Sequence, residues 1–123
     1  MRIWGVFGAV YGLLAVALGA FGAHALRERL SPRAMEIFQT ATHYQFFHAL
    51  ALVLIASLSL RTSTPPAGLR WAGLAFATGI FVFSGSLYAL ALTDIKILGA
   101  ITPIGGVLFL VGWSLFAISF WRM

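Results

Sequence analysis

The chain has 123 residues, 61% of them hydrophobic and only 9% charged, with a mean hydropathy of +0.97 and a formal net charge of +5. Soluble domains carry about 25% charged residues, so this composition excludes an ordinary water-soluble domain. The eight basic residues are scattered through short connections without interleaved aromatics, which excludes a nucleic-acid face, and the absence of cysteine excludes disulfides, thiolate metal ligands and thiol catalysis.

Four apolar stretches, residues 3–23, 44–60, 71–92 and 97–121, each approach the ~20 residues that cross ~30 Å of hydrocarbon. The expected fold is all-α, an integral membrane four-helix bundle in a single transmembrane domain over residues 1–123. The first stretch follows Arg2 and ends near Ala23-His24-Ala25, which imitates a signal-peptide cleavage site. Its apolar run exceeds the ~7–15 residues of a signal's core, so a retained helix is expected. Along it Gly5, Gly8, Gly12, Ala15, Gly19 and Gly22 recur at alternating spacings of three and four, one continuous helix-packing stripe. Small residues let backbones approach closely, and packing inside the same bundle is the reading favoured over a dimer seam.

The first connection restarts a helix at "SPR", with Ser31 as N-cap and Pro32 at the first helical position. From Pro32 to Leu60 a helix would measure about 43 Å, too long to cross upright. A short interfacial amphipathic helix over about 32–43, between spans 1 and 2, is therefore expected. "TSTPPAG" (62–68) turns the chain between spans 2 and 3, and "TDIK" (93–96) between spans 3 and 4. Arg2 with Trp4, Arg70 with Trp71, and Trp121 with Arg122 anchor three helix ends on one face. Orientation is not fixed by charge. Arg2, Arg61, Arg70 and Arg122 balance Arg27, Arg29, Arg33 and Lys96 across the membrane. Glu28, Glu36 and Asp94 all lie opposite the termini, which inclines the reading to termini inside.

Four crossings bring His24, His43, Tyr44, Gln45 and His48 towards the same face as Ser84, Ser86, Tyr88 and Thr102. Unpaired polar groups in lipid cost a few kcal/mol, so one half-buried hydrogen-bonded cluster or cavity is expected there. These nine residues are the polar-cluster and ligand candidates. No metal site is assigned, because helical ligands normally sit three or four apart. His43 and His48 are five apart, rotated by about 140° and separated by about 7.5 Å along the axis. His48 shares a face with Tyr44 and is expected to point towards the serines and tyrosine of span 3. A nucleophilic serine would need a base within reach, and no phosphate loop, HExxH or carboxylate pair is present. All Asp, Glu, Lys and Arg residues lie at ends or in loops, which argues against a proton relay or an ion-coupled exchanger.

"GAFGAHAL" (19–26), "TATHYQFFHALAL" (40–52), "FSGSLYALAL" (83–92) and "ITPIGG…GW" (101–113) together resemble the YgdD/YwdK-like small membrane proteins. The resemblance covers nearly the whole chain and implies a four-span, multi-pass protein of the cell membrane, in bacteria usually the inner membrane. Its signature positions are His24, His43, Tyr44, Gln45, His48, Ser84, Gly85, Ser86, Tyr88, Thr102, Pro103, Gly105 and Gly106. It supplies no catalytic residue and no cofactor. The sequence thus reads as a structural or accessory membrane component, with lipids and either a second copy or another membrane protein as partners. The alternative is a small-molecule or lipid binding or transport protein acting as an oligomer.

Overall fold

The computed structural model describes residues 1–123, folded into four helices long and apolar enough to cross a membrane. They are α1 (Arg2–Leu26), α2 (Pro32–Leu60), α3 (Ala67–Thr93) and α4 (Leu98–Trp121). The all-helical bundle follows from the medium. In hydrocarbon every backbone N–H and C=O must be satisfied within the chain, and helices do this segment by segment.

The ends follow local chemistry. Ser31 caps α2 through its hydroxyl, which accepts from the Ala34 N–H at 3.1 Å, and Pro32 opens the first turn. Asp94 ends α3 in the left-handed region at φ 57°, donating its N–H to the Leu90 carbonyl at 2.8 Å. The Thr93 hydroxyl then accepts from the Ile95 N–H at 3.3 Å, closing the tight turn into α4.

One expectation is corrected. No separate interfacial helix forms over 32–43, because α2 runs unbroken for 29 residues from Pro32. No glycine or proline follows Pro32 before Leu60, so nothing interrupts the backbone hydrogen-bond ladder. The first turns of α2 lie beside the end of α1, which carries a π-helical turn over Ala17–Gly22.

α2 and α3 form the centre, with α1 laid along α2 and α4 along α3. The core comprises Leu52 and Ile55 of α2, Leu69, Phe76 and Ile80 of α3, and Phe109 and Phe116 of α4. The small-residue stripe of α1 packs within the chain. A methyl group on Gly8 would lie 2.7 Å from the Ala49 carbonyl oxygen, and one on Gly5 would lie 3.2 Å from Ala56 Cβ. Gly19 and Gly22 face Thr42 and Phe38, and Ala15 is buried, whereas a methyl group on Gly12 would meet nothing within 4 Å. Between α3 and α4 the relation becomes ring on glycine. Phe109 covers Gly79, Phe76 covers Gly112, and Gly105 lies against the Phe83 backbone. Because lipid is as apolar as leucine, this close approach is the main source of affinity between helices. Trp4 lays its indole over Gly73 of α3.

Candidate functional site

The side-chain hydrogen bonds between helices form three separate groups rather than one cluster. The first ties α1, α2 and α3 together. Gln45 donates its amide N–H to the Tyr11 carbonyl at 2.8 Å and accepts at Oε1 from the Tyr88 hydroxyl at 2.6 Å. Tyr11 donates its own hydroxyl to the Ala77 carbonyl at 2.9 Å. Ser84 donates to the Ala41 carbonyl at 2.7 Å, one helical turn from Gln45. Phe38 meets the Tyr88 ring edge-on, with centroids 5.2 Å apart.

The second group joins α2 to α4. His48 stacks on Phe109 at 3.6 Å between centroids and 9° between planes. Its Nδ1 lies 2.7 Å from the Tyr44 carbonyl oxygen, and its Nε2 lies 3.0 Å from the indole nitrogen of Trp113. A carbonyl can only accept and an indole N–H can only donate. The ring is therefore a neutral imidazole with its proton on Nδ1. The third group is the pair Ser86 and Thr102, whose hydroxyls are 2.6 Å apart and join α3 to α4.

His48 therefore faces α4, not the serines and tyrosine of span 3 that its helical face suggested. Tyr44 remains half exposed with its ring against Phe83, centroids 4.7 Å apart. His24 and His43 are exposed and join none of the three groups. Two participants were missed by the sequence reading, Tyr11 and Trp113. A tyrosine and a tryptophan well inside otherwise apolar spans, away from the interfacial belts, were the available signal, because each carries a polar hydrogen that must find an acceptor.

No buried side-chain nitrogen or oxygen lacks a partner. A groove of about 210 Å³ opens between α1 and α3 beside Tyr11, Gln45, Ser84 and Tyr88, yet the surface it presents is apolar. The polar atoms are turned towards one another. Chemically, the arrangement fixes helix register and rotation and presents neither a free base nor an activated hydroxyl. If the Gln45–Tyr88 bond acts as a clamp, a double-mutant cycle of Gln45→Leu and Tyr88→Phe should show a coupling of about 0.6–1.7 kcal/mol, the range for hydrogen bonds between membrane helices. Reversible unfolding in detergent measures it, and strictly additive losses would remove the clamp.

Comparison with known proteins gives a consistent picture. The family described as "Protein of unknown function (DUF423)" matches residues 18–106. The UPF0382 membrane protein of Staphylococcus epidermidis is 49% identical over 119 residues, covering 97% of this chain and 95% of that protein. A UPF0382 membrane protein of Staphylococcus saprophyticus is 46% identical over 123 residues, with both chains covered completely. No solved structure matches this chain.

Proposed function

The chain belongs to the DUF423 family, and we propose that it serves its membrane as a structural or accessory component, with its working surface on the outside of the bundle. The observation that carries this reading is the closure of the interior. Apart from Ser119, every buried polar side chain bonds another group of the same chain, and no fully buried side-chain nitrogen or oxygen is left unpaired. A binding or transport pocket needs polar groups free to meet a ligand, and alternating access in so short a chain needs a second copy. Those interior groups instead link α1, α2, α3 and α4.

The relatives are named as membrane proteins of staphylococci, which supports a location in the bacterial cell membrane. Where an organism has two membranes, the inner one is proposed. The finer assignment to the YgdD/YwdK-like group rests on the four motifs of spans 1 to 4. Membrane lipids surround the bundle, and the partner is a second copy or another integral membrane protein.

Photo-crosslinking in intact membranes tests this. A photoreactive residue at Phe81 or Leu110, both strongly exposed, should give adducts of one defined protein mass. Release of a stoichiometric small metabolite from the purified chain, with only lipid adducts at both positions, would overturn the accessory role.

A further inference from the structure

The two largest cavities lie on the outer side of the α1–α2 pair, away from the interior groups, and they adjoin. A groove of about 490 Å³ runs beside Gly12 and Leu50, and a second of about 640 Å³ continues it past Gln39 and His43. Val16 and Phe46 line both. Volumes of this size are typical of small-molecule sites. The lining changes character along the length, from almost wholly apolar to an apolar wall that also carries Gln39, Thr42 and His43.

Depth gives that change a meaning. Eighteen steps of helix separate Arg61, at the end of α2, from His43, about 27 Å at 1.5 Å per residue. The hydrocarbon is ~30 Å thick, so the polar lining begins where hydrocarbon gives way to headgroups. Gln39 and His43 are exposed there and stand outside the hydrogen-bond network of the bundle. Opposite them α1 makes its π-helical turn, Ala17–Gly22, a distortion that recurs at functional sites. Polar donors at the boundary need acceptors, and an apolar groove leading away from them into the membrane needs hydrocarbon.

We propose that this groove is a binding site for one glycerophospholipid. An acyl chain lies along Gly12, Val16, Phe46 and Leu50, and the glycerol-ester and headgroup oxygens accept from Gln39 and His43. The site is independent of the accessory role, since a bundle with a closed interior functions as a scaffold whether or not this outer groove holds a lipid.

Native mass spectrometry of the full chain in a delipidating detergent tests it, with dioleoyl phosphatidylglycerol as the added probe. The wild-type chain should retain one lipid after annular lipid has been stripped. Gly12→Leu fills the groove where no atom lies within 4 Å, so the bundle tolerates it while lipid retention falls at least ~10-fold. Leu50→Trp fills it from the other wall and stands in if Gly12→Leu lowers the melting temperature. Gly106→Leu, also in open space but on α4, should retain the lipid. Gln39→Leu with His43→Leu should weaken retention without changing the melting temperature. Equal retention by all folded variants, or none by the wild-type chain, would overturn the site. A dimer that dissociates on Gly12→Leu would assign the groove to a second copy instead.

Discussion

Gly105→Ala should destabilise the bundle by about 1–3 kcal/mol, while Gly106→Ala, one residue along, should be neutral or stabilising. The two positions face opposite surroundings. A methyl group on Gly105 would lie 2.5 Å from the Phe83 backbone nitrogen and 2.7 Å from its Cα, whereas one on Gly106 meets nothing within 4 Å. Backbone atoms cannot rotate out of the way as a side chain can, so α4 must move off α3. That displacement reaches further than one contact. Thr102 is one turn before Gly105 and holds Ser86 at 2.6 Å, and Phe109 is one turn after it and stacks on His48. The helix-propensity gain of about 1 kcal/mol from Gly to Ala applies at both sites and cancels in the comparison. Unfolding of the two variants in the same detergent decides the matter. If they are equally stable, the close approach of α3 and α4 at this level is wrong.

The spans were legible in the sequence because hydrocarbon thickness imposes a length, and few other folds satisfy it. The helix start at Ser31-Pro32 and the stop at Asp94 were legible because each is a local event within four residues. The glycine stripe of α1 was legible as a stripe, and its partner residues Ala49 and Ala56 on α2 were not. Spacing along one helix says which residues share a face; it does not say which neighbour that face meets. His48 illustrates the gap. Its shared face with Tyr44 is fixed by helical geometry, but its contact with α4 depends on how Phe109 seats over Gly79 of α3, a tertiary fit between two other helices. The expected interfacial helix failed for a simpler reason. Length beyond a single crossing does not by itself interrupt a helix, and the sequence from Arg33 to His43 contains no residue that breaks one.

His48→Ala should cost about 2–4 kcal/mol and His43→Ala less than about 0.5 kcal/mol, although both remove one imidazole from the same helix. His48 is buried, and its removal leaves a void against Phe109, whose ring plane it matches at 3.6 Å. A cavity in a packed core adds to the lost transfer energy because the surroundings relax only partly. The same change strands the Trp113 indole N–H, which at mid-helix in hydrocarbon has no water to turn to. Trp113→Phe isolates that second contribution. It leaves the stacked ring in place and should cost about 1 kcal/mol, the scale of a single hydrogen bond between membrane helices. His43 has no comparable neighbour, only a loose stack on Phe47 at 6.3 Å, so its removal touches the boundary lipid rather than the fold. Thermal unfolding of the three variants in one detergent should therefore rank His48→Ala below Trp113→Phe, and Trp113→Phe below His43→Ala. Equal melting temperatures for the two histidine variants would mean that His48 does not hold α2 to α4, and the second interior group would lose its structural role.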